Sequence, residues 1–284
     1  MGPSLAFRVV DVFTGVAFAG NPLAVVLDAE ELTTGQMQTL AREFNLSETA
    51  FPVPPDEGAD YGLRIFTPAV ELPFAGHPSV GAAWVLHDLG RLPAGERVQS
   101  CGAGLLSVMV DAMITLTGAA PSYSPPRDSA PLLAAVGLDP EDLVGTPARS
   151  AGAGIDFGYL YVRPDALARA VGDMGLLRAL GGAGVSVVGW DGSAARARVF
   201  AGGVGVAEDP ATGSAALGLG VFLAASGLLA DGWTDYVVTQ GVEMGRPSTL
   251  TCRVLVEAGQ AVRTTVSGSV VPIASGEIRV PPVT

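Results

Sequence analysis

Few side chains in this sequence are equipped for chemistry, and they sit in related settings. Glu208-Asp209-Pro210-Ala211-Thr212-Gly213-Ser214 places two acids, a proline and a Thr-Gly-Ser turn before the apolar run Ala215-Ala216-Leu217-Gly218-Leu219-Gly220-Val221-Phe222-Leu223. That run has no polar face, so it predicts a helix buried on all sides and entered through a loop. Such a start offers unpaired backbone N–H groups and the positive end of the helix dipole. It can hold an anion, and the nearby acids suggest proton chemistry rather than nucleotide phosphate. His77, in Gly76-His77-Pro78, opens a second apolar run. Asp209 also reads as the cap of a turn before Pro210, and Glu208 as a structural or solvated acid. Glu48, between Ser47 and Thr49, reads on its own as an ordinary polar loop residue.

The two helix starts match each other. Gly76 through Leu86 aligns with Gly213 through Leu223 at a constant offset, 213 − 76 = 137, with identities at Gly76/Gly213, Gly81/Gly218 and Leu86/Leu223, and beyond at Gly90/Gly227 and Leu92/Leu229. Upstream, Arg64-Ile65-Phe66 mirrors Arg198-Val199-Phe200 three positions out of phase. A long-period match with two copies indicates a duplicated domain rather than a solenoid.

Composition narrows the chemistry. The 284 residues can bury one large core or two ordinary ones, and the repeat favours two. A net charge of -12 argues against nucleic acid and anionic membranes as partners. All 16 basic residues are arginine, which removes a Schiff-base lysine and a phosphate-loop lysine. Two histidines, His77 and His87, exclude multi-histidine metal sites. Gly152-Ala153-Gly154 and Gly202-Gly203 read as loops and do not form a dinucleotide fingerprint. No cofactor is therefore expected. Cys101 and Cys252 are expected to be free thiols. The longest apolar run, 215–230, is short of the ~20 residues of a membrane span, and no signal pattern opens the sequence. The expectation is a soluble, cytoplasmic protein.

Strands are predicted at Leu5–Phe13, Pro22–Leu27, Thr49–Val53 and Tyr61–Phe66. Thr33 and Gln36 form a capping box for a helix stopping near Asn45. Glu71–Gly76 reads as a loop, Pro78–His87 as the first buried helix, Val98–Leu116 as two strands and Ala119–Asp128 as a linker. Helices follow at Ala130–Val136 and Asp165–Leu180. Strands follow at Gly158–Val162, Val185–Gly189, Ala197–Phe200, Tyr236–Thr239, Leu250–Glu257, Ala261–Ser267 and Glu277–Val280. The fold class is α+β, in two units that each bend a sheet around one buried helix. The domains are 1–120 with 268–284, and 121–267.

Several segments together resemble the PhzF family, the phenazine-biosynthesis isomerases and relatives that share the diaminopimelate epimerase fold. They are Asp11-Val12-Phe13-Thr14 with Gly20-Asn21-Pro22, Asn45-Leu46-Ser47-Glu48-Thr49, Arg64-Ile65-Phe66-Thr67-Pro68, Glu71 through Pro78, Glu208 through Ala215, and Gln240 through Pro247. The resemblance implies two similar domains with the site in the cleft between them. It implies that Glu48 is the acid/base that moves a proton, with His77 and Asp209 positioning the substrate's polar groups. Gly76, Thr212, Gly213 and Ser214 are then the substrate-binding residues. Burial of Glu48 in such a site is expected to raise its pKa toward neutrality.

The implied reaction is a cofactor-independent isomerisation of a small unsaturated carboxylic acid, as with trans-2,3-dihydro-3-hydroxyanthranilate in phenazine-type secondary metabolism. A homodimer is implied by the family alone. Two departures stand out. Arg198-Val199-Phe200-Ala201-Gly202 replaces the common R-x-F-x-P pattern, and Leu116-Thr117-Gly118-Ala119-Ala120 lacks an acidic, aromatic strand end. Neither touches the expected catalytic residues, so both bear on substrate. The alternatives are isomerisation of another secondary-metabolite precursor, a two-base epimerase or racemase, or a non-catalytic metabolite-binding protein. A two-base epimerase of this fold carries a thiol at each helix start, where this chain has Gly76-His77 and Pro210-Ala211.

Overall fold

The computed structural model describes residues 3–283. Two units divide the chain, one running through Leu116 and resuming at Ser267, the other Thr117–Val266. In the first, β1 (Ser4–Val12) and β2 (Asn21–Val26) lead into α1 (Thr34–Phe44). Then follow β3 (Glu48–Val53), β4 (Tyr61–Phe66), β5 (Glu71–Leu72), α2 (Gly76–Asp88), β6 (Gly95–Cys101), β7 (Gly104–Val110) and β8 (Ile114–Thr117). The second begins with β9 (Ser122–Tyr123), α3 (Ala130–Ala135), β10 (Arg149–Gly152) and β11 (Asp156–Tyr161). It continues through α4 (Pro164–Arg169), α5 (Met174–Leu180), β12 (Val185–Trp190), β13 (Ala194–Phe200), α6 (Gly213–Ala225), β14 (Gly232–Gln240), β15 (Ser248–Glu257) and β16 (Gln260–Gly268). The last strand, β17 (Val270–Arg279), pairs antiparallel with β1 in the first unit.

The same ladder is built twice. From β1 to β7, skipping the short β5, successive neighbours pair antiparallel, parallel, antiparallel, parallel, antiparallel. From β10 to β15 the sequence of pairings is identical. The central helices α2 and α6 are each 13 residues long and start at the positions related by 137. Nearly every residue of α6 is buried, and ten residues of α2 are. The strands β4 and β13 end on Phe66 and Phe200, and the connections onward to the helices are 75 − 66 = 9 and 212 − 200 = 12 residues. Those three extra residues are the phase difference of the Arg-x-Phe match, and they hold a short 3-10 turn at Gly202–Val204.

The repeated glycines have physical causes. A Cβ on Gly81 would stand 2.5 Å from Leu23 Cδ2, and one on Gly218 2.5 Å from Tyr159 Oη. A side chain at either position would force Leu23 or Tyr159 to shift, so glycine lets each helix sit close to its sheet. Past the helix ends, Gly90 and Gly227 each hold φ near +70°, the left-handed turn that releases the chain from a helix.

Some predicted boundaries shift. Val98–Leu116 contains parts of three strands, since the chain turns again at Asp111–Met113. Asp165–Leu180 is two helices, broken where Asp173 caps α5 by accepting from the Gly175 and Leu176 N–H groups. The segment proposed as a linker contains β9, and Gly152 closes β10 rather than lying in a loop.

Candidate active site

Register brings the first unit's polar residues together. Asn45 stops α1 in the left-handed conformation, φ 50°, and three residues later Glu48 opens β3. Glu48 is a strand residue, only 8% exposed, not part of a polar loop. β3 runs parallel to β2 with Glu48 opposite Leu23, and Asn21 lies two residues before Leu23. Side chains alternate along a strand, so Asn21, Leu23 and Glu48 share one sheet face. That face meets α2, because Leu23 packs where Gly81 leaves room. His77 lies one helical turn before Gly81 on the same side of α2.

The contacts follow from this placement. His77 Nδ1 lies 3.5 Å from Glu48 Oε2 and 3.1 Å from Asn21 Nδ2. His77 is 2% exposed and Asn21 fully buried. Burial pushes the imidazole down to about pKa 3, so the ring is neutral at physiological pH. Its Nε2 is buried and has no hydrogen-bond partner among the described residues. Asp11, also buried, accepts from the Phe18 N–H at 2.7 Å and so shapes the loop that delivers Asn21.

The start of α2 is tied from below. Ser79 donates to the Ala75 carbonyl at 2.9 Å and accepts from Gln99 Nε2 at 3.0 Å, while Tyr61 donates to Gln99 Oε1 at 3.0 Å. No side chain caps the helix, unlike α1, where Thr33 and Gln36 close the expected capping box.

In the second unit the start of α6 is likewise uncapped by any side chain. Asp209, 4% exposed, is fixed by a backbone bridge from its N–H to the Val199 carbonyl at 2.9 Å. Thr212 donates its hydroxyl to Asp209 Oδ2 at 2.6 Å. Gln240 clamps this turn: its amide donates to Thr212 Oγ1 at 2.9 Å and the Asp209 carbonyl at 2.7 Å, and accepts from the Thr212 N–H at 3.1 Å. Gly213 and Ser214 form the first turn of α6 and are buried. Glu208 is structural, since Arg198 grips its two oxygens at 2.8 and 2.9 Å.

The expected residues therefore fall into two groups. Glu48, Gly76 and His77 gather in the first unit, and Asp209, Thr212, Gly213 and Ser214 in the second. Asn21 and Gln240 were given no role from the sequence. Each lies in a segment that carries the family resemblance, Gly20-Asn21-Pro22 and Gln240 through Pro247, which was the available signal. Among the described residues no group of three or more His, Cys, Asp or Glu side chains is arranged to hold a metal, and no helix is long and apolar enough to cross a membrane.

The duplicated α+β ladder, each copy wrapped on a buried helix whose start carries polar groups, is a fold of the diaminopimelate epimerase type, and the isomerases among its relatives make the protein an isomerase. The family model for phenazine biosynthesis-like proteins matches residues 10–276, and the chain belongs to that family. It is 34% identical over 286 residues to a trans-2,3-dihydro-3-hydroxyanthranilate isomerase of Pseudomonas fluorescens, covering 96% of this chain and 98% of that one. Among solved structures it resembles a predicted epimerase of Pseudomonas aeruginosa, 32% identical with TM-score 0.83, covering 96% of this chain and 99% of that one. A Bacillus anthracis phenazine biosynthesis protein of the PhzF family shares the fold at 24% identity and TM-score 0.85, covering 97% and 99%.

Proposed function

We propose that this isomerase acts on a small unsaturated amino- or hydroxy-carboxylic acid without a cofactor, moving a proton from one carbon to another through Glu48. The observation that carries the reading is the buried contact between the Glu48 carboxylate and a neutral His77. A carbon acid is weak, so its base must be held close and shielded from water. In the step proposed, Glu48 takes a proton from carbon, and the electron pair of that C–H bond enters the conjugated system. The same carboxyl returns the proton to a distant carbon, and no atoms are gained or lost. Asp209, oriented by Thr212 and Gln240, and His77 position the substrate's polar groups. The N–H groups of the uncapped starts near Gly76 and Gly213, with Ser214, bind its carboxylate.

The name of the Pseudomonas fluorescens relative supports trans-2,3-dihydro-3-hydroxyanthranilate as the first substrate to try. The reading extends to a cytoplasmic homodimer in secondary metabolism, a role family kinship suggests. Purified protein incubated with this acid in D₂O, followed by proton NMR, tests it. The expected result is conversion to an isomer whose newly protonated ring carbon carries deuterium where the Glu48 carboxyl exchanges with solvent, and protium where that carboxyl is sheltered. An unchanged spectrum would contradict the substrate, and exchange at the original carbon without isomerisation would indicate an epimerase instead.

A further inference from the structure

The geometry points to Asn21 as a positioning residue that holds His77 in the tautomer protonated on Nε2, making the ring a hydrogen-bond donor to substrate and not a base. Asn21 opens β2, fully buried and opposite Val12 of β1, so its amide has little freedom to move. Its Nδ2 lies 3.1 Å from His77 Nδ1. An amide nitrogen only donates, so Nδ1 must accept and hold no proton. A neutral ring then carries its one proton on Nε2.

Two consequences follow at the site. The Nε2–H is a buried donor with no partner among the described residues, an arrangement that folding disfavours and that an oxygen of a bound ligand would relieve. The single in-plane lone pair of Nδ1 is also engaged. Although Glu48 Oε2 lies 3.5 Å away, the ring is not a competing acceptor for the proton that Glu48 carries. Asn21 thus reserves that proton for the substrate. This role rests on the functional reading above, but the tautomer does not, and it can be measured without turnover.

The chain has two histidines, and the second supplies an internal control. His87 Nδ1 lies 2.9 Å from the Leu92 carbonyl, which only accepts, so His87 carries its proton on Nδ1. Two-bond ¹H–¹⁵N correlation spectra of the full chain labelled with ¹⁵N-histidine, at about pH 8 where an ordinary imidazole is neutral, should show opposite tautomers. His87→Gln, remote from the proposed chemistry, assigns the signals. Asn21→Asp presents only acceptors, so it should move the His77 proton to Nδ1 and lower turnover by roughly 10²–10³ through loss of the donor.

A wild-type His77 protonated on Nδ1 overturns the proposal whether or not the variant folds. A wild-type Nε2–H tautomer that persists in folded Asn21→Asp overturns the assignment to Asn21. Opposite tautomers in the wild type, with inversion in the variant, support it. If they are found in a protein that turns over none of the acids tried, the functional reading fails and the tautomer stands.

Discussion

At the scale of single residues, His77 links function to stability. Its folded pKa lies near 3 against an ordinary 6.5 because burial disfavours the cation. Below 6.5 the unfolded chain takes up a proton that the folded ring refuses. The contribution of this group is therefore complete above 6.5 and is lost as pH falls toward 3, by roughly 1.4 kcal/mol per unit. Urea unfolding of wild type and His77→Gln at about pH 7 and about pH 5 isolates it. Through this ring the wild type should lose roughly 2 kcal/mol that the variant does not lose; equal losses would contradict a ring buried in its neutral form. The sequence showed His77 at a buried helix start, whereas an expectation that Glu48 is buried came only from the family resemblance and not from the residues around it. Leu46 is the only apolar residue in Asn45-Leu46-Ser47-Glu48, and only the parallel register with Leu23, a contact between distant segments, turns Glu48 inward.

At the scale of elements, the repeat places an arginine–glutamate pair at the end of the same strand in each unit, with different surroundings. Arg64 binds Glu71 at 2.7 Å through two nitrogens, with their side chains 29% and 37% exposed. Arg198 binds Glu208 with side chains 9% and 18% exposed, and also donates to the Leu167 and Ala170 carbonyls at 3.1 and 2.7 Å. Each guanidinium lies over the phenylalanine two residues on, 5.2 and 5.1 Å from its ring centre. Arg64→Met should cost no more than about 1 kcal/mol, as exposed pairs do. Arg198→Met strands a carboxylate and the carbonyls at the end of α4, and should cost about 2–3 kcal/mol. Chemical denaturation compares them, and equal costs would contradict the structural role given to Arg198. Elements with local signals were legible, such as α1 with its capping box and the two apolar helices. The break between α4 and α5 was not, because Val171-Gly172-Asp173 interrupts helical spacing only weakly and Gly172 yields to the packing of Phe200.

For the whole molecule, duplication explains more of the architecture than any single motif. The offset of 137 was readable from glycines and leucines, and the matching order of strand pairings gives it a structural meaning. Strand pairing itself was beyond the sequence, since it depends on contacts between residues far apart in the chain. β10 went unpredicted because Arg149-Ser150-Ala151-Gly152 has neither alternation nor β-branched residues. The remaining weight of the account falls on whether the folded chain moves a proton through one carboxylate. Glu48→Gln preserves shape and hydrogen bonding but cannot take up a proton, so the decisive measurement is its turnover of the identified substrate alongside its affinity for that ligand. Turnover should fall by roughly 10²–10⁴ or more while binding largely persists. Near-normal turnover in Glu48→Gln would contradict the mechanism.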